Sequence, residues 1–207
     1  FLWNALAPGT SRFRNFMSHE REWSPEEGSE DGHARGLWAA GTGVGRSRNE
    51  GHRKLCGSIL QRALPLTENF TSPRAWAFTL LAIHEYLGRF SGDSVMNGTR
   101  HILTQKLVSA WKNCSSEKWQ WFEPILSYDN ARLSHALILS GRWTRDAEVL
   151  GIGRSSLRWL AEIQKAPKGY FRPIGNKDFY QREGERAIFD QQPVEANAMI
   201  SACFEAY

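Results

Sequence analysis

No apolar run in this chain approaches the roughly 18 to 20 residues that a membrane-crossing helix needs, which excludes a helical span. Cysteine is scarce: Cys56, Cys114 and Cys203 lie far apart, are odd in number and form no CxxC pair. Such a set argues against a disulfide framework and a zinc site, and favours a reducing, cytoplasmic setting. Neither sign of charge dominates, with 26 Lys+Arg against 22 Asp+Glu and a net of +4. The densest basic stretch, 46–54, carries Glu50, so the chain shows no nucleic-acid footprint. Also missing are a GxGxxG after a strand, a GxxxxGK(S/T) loop and the strand–helix alternation of a nucleotide-sugar-binding domain. No cofactor is called for, and no histidine pair stands at metal-binding spacing.

Flat aromatic surface is abundant instead. The 207 residues are 41% hydrophobic and include nine Trp, eleven Phe and five Tyr, enough to bury the core of an ordinary globular domain. The chain opens on Phe1-Leu2-Trp3 rather than Met and stops at Phe204–Tyr207 inside an apolar-periodic pattern. It therefore reads as a single domain over 1–207, incomplete at both ends. Acceptor sequons at Asn69, Asn97 and Asn113 are short enough to arise by chance.

The periodicity predicts an all-α protein. Residues 1–28 read as irregular, broken by Pro8-Gly9 and Pro25. Ser29 followed by Glu30 and Asp31 predicts a cap and first turn, with Leu37, Trp38 and Ala40 as apolar stripe and Gly41 as the stop. A second helix is expected from His52 to Leu64, ended by Pro65. Ser72-Pro73 opens a third, in which Trp76, Leu80, Ile83 and Leu87 recur at steps of four and three. Further helices are expected after Gly92-Asp93, from Ser127 to Ser140, over 144–164, and from Pro193 to the end. The irregular stretch 169–188 has room for a short hairpin at Tyr170-Phe171.

Four of these segments share one form, a polar or acidic loop followed by a helix of small and apolar residues: 29–41, 72–88, 127–141 and 193–207. Their starts lie 43, 55 and 66 residues apart, the length of a helix, its return helix and two loops. Alternate helices forming an inner ring would gather Glu30/Asp31, Glu123/Asp129 and Asp190/Glu195 on one rim.

The strings Ser29-Glu-Asp-Gly-His33, Ser72-Pro-Arg-Ala-Trp-Ala-Phe78, Trp121-Phe-Glu123 with Tyr128-Asp-Asn-Ala131, and Phe189-Asp-Gln-Gln-Pro-Val-Glu-Ala196 resemble the α/α-toroid proteins of bacterial polysaccharide clusters. Those proteins are similar to six-hairpin glycosidases and are often named as glycosyltransferases or found beside or fused to them. The resemblance runs from Arg12 onward. It implies about three and a half of six hairpins, a glycan as substrate, and a glycosyltransferase domain or protein as partner.

Cleaving a glycosidic bond needs two carboxylates, one to protonate the leaving oxygen and one to activate water or attack. Asp129, Glu123, Glu195 and Asp190 are the catalytic candidates. Asp129 also suits a helix N-terminus, Glu195 a capping arrangement, and Glu123 a loop carboxylate tied to backbone amides. Trp119, Trp121, Phe122 and Tyr128 form the densest aromatic cluster and are candidate stacking surfaces for sugar rings. Asn130, Asp31, His33, Arg74, Gln191 and Gln192 complete the expected binding set, and Arg35 and Arg132 suit either an anionic glycan group or an ion-pair network. Tyr170 to Pro173 is a candidate lip. The first reading is therefore a glycoside hydrolase- or lyase-like protein acting on an oligo- or polysaccharide; the alternative is a non-catalytic glycan-binding or scaffolding module that works with a glycosyltransferase.

Overall fold

A computed structural model describes residues 1–25 and 27–207. Among them are eight α-helices and one two-stranded antiparallel sheet, so the chain is mostly helical. It divides into two compact units, 1–103 and 104–207, and the division falls inside the long helix α5 (Ser94–Cys114). No helix among the described residues is long and apolar enough to cross a membrane.

The first unit begins with one turn, α1 (Leu2–Ala5), and a looped segment pinned by the bridges Leu6↔Phe13 and Met17↔Trp23. Its core is α2 (Glu30–Arg46), α3 (Glu50–Ala63) and α4 (Pro73–Leu87), with a 3-10 turn over Leu64–Asn69. The Ser29 and Ser72 caps are those the sequence announces; α3 starts at Glu50, two residues before the expected His52, on an Asn49 cap. Ser29 Oγ accepts from Gly32 N at 3.0 Å, Asn49 Oδ1 from His52 N at 3.0 Å, and Ser72 Oγ from Ala75 N at 3.2 Å, with Pro73 in the first position of α4.

Helix α2 does not stop at Gly41 as expected; it runs five residues further, to Arg46. The glycines are there for contact rather than termination. A Cβ on Gly41 would lie 2.4 Å from the Ala82 carbonyl oxygen and one on Gly45 2.4 Å from that of Glu85, so this face of α2 lies directly on the backbone of α4. Trp38 stacks on Phe78 across the same pair, with ring centroids 5.9 Å apart.

The second unit is built on α6 (Ala131–Thr144), buried along nearly its whole length and packed by α7 (Ala147–Ile163) and α8 (Pro193–Ala206). Close backbone approach recurs: a Cβ on Gly141 would meet Leu150 N at 2.6 Å, and one on Gly153 would meet Ile138 N at 2.9 Å. The α6–α7 turn is made by Arg145 in the left-handed region at φ 58°, and Asp146 caps α7 by accepting from Val149 N at 3.0 Å.

The short hairpin expected at Tyr170-Phe171 is reduced to a single antiparallel bridge, Lys165↔Phe171, with Ala166 N donating to Tyr170 O at 2.9 Å and Arg172 N to Gln164 O at 2.7 Å. The sheet forms elsewhere, where β1 (Ile125–Leu126) pairs antiparallel with β2 (Tyr180–Gln181). The excursion 165–191 is clasped by Arg186, whose guanidinium donates to the carbonyls of Ile163, Arg172 and Pro173, taking up the free carbonyl end of α7.

Candidate functional site

The carboxylates at the helix N-termini hold neighbouring helix ends together. In the first unit Glu30 Oε2 accepts the backbone N–H groups of Thr71 at 2.9 Å and Ser72 at 2.7 Å, the residues that lead into α4. Asp31 Oδ1 accepts the Ser72 hydroxyl at 2.7 Å. Beside them Arg74 is buried at the second position of α4, where a cation opposes the helix macrodipole and needs a compensating partner.

The second unit repeats the device with more groups. Glu195, at the third position of α8 and 3% exposed, accepts from Asn130 N at 3.3 Å, Asn130 Nδ2 at 3.0 Å and Gln164 Nε2 at 3.1 Å, and also from the backbone of Asp129. Burial pushes its carboxyl above the usual carboxylate value, and these four donors pull the other way without cancelling the effect. Asn130 is fixed by its own loop, with Oδ1 taking Ser127 N and Nδ2 giving to Ser127 O, both at 3.1 Å. Asp129 is 1% exposed, sits in the left-handed region at φ 54°, and pairs with Arg132 Nε at 3.3 Å. Arg132 also donates to Asn197 of α8.

The structure thus brings Asp129, Asn130 and Glu195 together, with Tyr128 half-buried next to them. It does not do so for the rest. Glu123 is half-exposed, its carbonyl takes the Trp119 indole N–H at 2.8 Å, and its charge acts on the Cys114 thiol. Asp190, Gln191 and Gln192 are exposed; Asp190 accepts Asn176 N through its carbonyl and Gln191 donates to Ile188 O. Tyr170 and Phe171 are exposed, and Arg35 lies over the Phe78 ring at 4.2 Å.

Three aromatic expectations need correcting. Trp119, Trp121 and Phe122 are buried: Trp119 meets Trp159 of α7 edge-on and Trp121 meets Phe122 edge-on, with centroids 5.1 Å apart in each pair, while Trp121 stacks on Trp159 at 6.0 Å. Tyr180 closes the group 5.3 Å from Trp119. Rings of this size are worth more to the core than to a cleft when the loop carrying them lies against a helix. The dense cluster therefore anchors segment 119–126, and Trp121 and Phe122 within it turn no open ring face to a sugar.

His33 is also a core residue. Its Nδ1 accepts Phe13 N–H at 3.1 Å and its Nε2 stands 3.0 Å from the Ala63 carbonyl, so the ring joins three segments. Burial lowers its pKa to about 4. His135 is buried on α6. No group of three or more His, Cys, Asp or Glu side chains among the described residues is placed to hold a metal ion.

Sequence reasoning missed Gln164, which closes the donor set on Glu195 from the end of α7; a glutamine after a helical stripe gives no signal of its own. Compared with family models, curated proteins and solved structures, the chain shows no significant match to any.

Proposed function

We propose that this chain has the helix arrangement of an α/α toroid from a carbohydrate-active protein, and that its part is to bind an oligo- or polysaccharide rather than cleave it. One observation carries the second half. The two candidate carboxylates that the fold brings together are buried and already engaged, Glu195 by four N–H donors and Asp129 by Arg132, while Glu123 is half-exposed and Asp190 exposed. A carboxylate that takes four donors, as Glu195 does, is a clasp between helix ends with no site free for a leaving oxygen. The toroid half is supported by the succession of contacts, α2 against α4 in one unit and α6 against α8 in the other, each with its return helix, α3 or α7, on the same partner. Alternate helices packing side by side are what a ring of helical hairpins repeats. A glycosyltransferase partner then supplies any synthetic chemistry.

The catalytic reading, hydrolase- or lyase-like, has two observations of its own. Asp129 holds a backbone conformation that costs a non-glycine residue free energy, a feature that collects at functional sites. Glu195 has a raised pKa, and Gln164 Oε1 is buried without a hydrogen-bond partner among the described residues. Turning that amide over would present Oε1 to a protonated Glu195.

Incubation with a panel of oligosaccharides, followed by mass spectrometry beside Asp129→Asn, separates the two. Unchanged masses together with measurable binding support the binding module. Shortened glycans that vanish in the variant would overturn it in favour of an enzyme.

A further inference from the structure

At the end of α2 and α4 opposite the Glu30–Ser72 contact, the first unit has a cavity of about 610 Å³, within the usual range for a small-ligand site. One wall is a single face of α3, carrying Arg53, Lys54, Gly57, Ser58 and Gln61. The other comes from the last turn of α4 and the residues after it, Tyr86, Arg89 and Phe90, with Val44 of α2 at the base. Val44 lies fourteen residues along α2 from Glu30, or about 20 Å at the helical rise, so this cavity is separate from the carboxylate clasp.

The lining is cationic where it is not flat. Glu50 is its one acid and is already bridged to Lys54 at 2.8 Å. That leaves Arg53 and Arg89. Arg53 Nη1 is oriented by the carbonyls of Ser47 at 3.1 Å and Arg48 at 3.0 Å, and the Nε and Nη2 edge of its fork makes no hydrogen bond among the described residues. Arg89 is exposed and makes no side-chain hydrogen bond or ion pair among them. A guanidinium held on one side and open on the other is suited to bidentate capture of a carboxylate or phosphate. Beside this pair, Phe90 is 47% exposed and packs 5.2 Å from the Tyr86 ring, which is itself fixed by a hydrogen bond from its hydroxyl to Asp93 Oδ2 at 2.9 Å. The Ser58 hydroxyl donates to Lys54 O and keeps its lone pairs for a ligand, and the Gln61 amide adds donors and an acceptor.

The geometry points to a binding site for an anionic saccharide, a uronate or phosphorylated sugar whose acidic group meets Arg53 and Arg89 while a face of its ring lies on Phe90. The saccharide half of this assignment rests on the function proposed above; the anion half rests on the cavity alone.

Calorimetric titration of the whole chain with tetragalacturonate, glucose 1-phosphate, neutral maltotetraose and phenyl phosphate tests both halves. The acidic saccharides are expected to bind and maltotetraose is not, and the tighter of the two identifies the preferred anion. Arg89→Ala, a change at an exposed side chain, is expected to weaken that binding about tenfold or more, with Phe90→Ala weakening it separately. Saccharide binding that is equal in all three proteins would overturn the cavity as the site and leave the binding-module reading standing. Phenyl phosphate binding as well as the sugars would overturn the saccharide class. No binding by any probe would overturn both.

Discussion

His33 shows what a polar residue in an apolar helix face can be for. Its ring is wholly buried, with a bare Nδ1 accepting from Phe13 and a protonated Nε2 giving to Ala63, so only the neutral imidazole satisfies both contacts. Burial is the main reason its pKa falls from 6.5 to about 4, with Arg12 adding to the effect and the Ala63 bond opposing it. Above pH 6.5 the folded and unfolded chains both hold a neutral ring, and the contribution to stability is complete. As pH falls from 6.5 towards 4 the unfolded chain binds a proton that the folded one refuses, and stability drops by about 1.4 kcal/mol per pH unit, about 3 kcal/mol in all. Urea unfolding at several pH values across that window should show this slope, and His33→Gln should flatten it. Equal slopes in the two proteins would show that the ring does not titrate this way.

Helix packing makes sharper demands on glycine than the sequence reveals. Gly41→Ala drives a methyl into the Ala82 carbonyl and Gly141→Ala drives one into Leu150 N, and each should lower the thermal midpoint, by the equivalent of about 1–3 kcal/mol. Gly151, on the exposed face of α7 with nothing within 4 Å of an added Cβ, should do the reverse: Gly151→Ala should stabilise by about 0.5–1 kcal/mol. A lower midpoint in all three would mean that propensity and contact do not part as argued. This contrast also marks how far the sequence could be read. Ser29, Ser72, Pro73 and Pro193 announced helix starts correctly because capping is local chemistry. Gly41 read as a stop because its reason for being glycine lies forty residues away on α4. The helix-opening carboxylates were visible for the same local reason as the caps, but their saturation was not: it needs Gln164 and the Asn130 loop brought to Glu195 by the packing of α6, α7 and α8. The nine tryptophans were visible too, and nothing local said that Trp119 and Trp121 would turn inward onto Trp159.

Across the molecule, apolar surface is unevenly placed. On α8, Ile200 and Phe204 are 58% and 79% exposed at a step of four, followed by Tyr207 at a step of three, while Glu195, Ala198, Met199 and Ala202 are buried on the opposite face. A stripe of that kind promotes association. Light scattering should show a mass that rises with concentration, and Ile200→Glu with Phe204→Glu should suppress the rise; an unchanged slope would place the association elsewhere. The two-unit division is a second whole-molecule fact that periodicity does not carry, since α5 reads as one uninterrupted helix through the boundary at residues 103 and 104. The excursion 165–191 has almost no regular structure, and Arg186 substitutes for it by drawing three carbonyls onto one side chain. To a trypsin-like protease, which must take an extended arginine into its own pocket, the peptide bond after Arg186 is hidden while that clasp is closed. Lys168 and Lys177, exposed in the same stretch, stay open to cutting. The loop is thus guarded at one point by the residue type that would otherwise mark it for digestion.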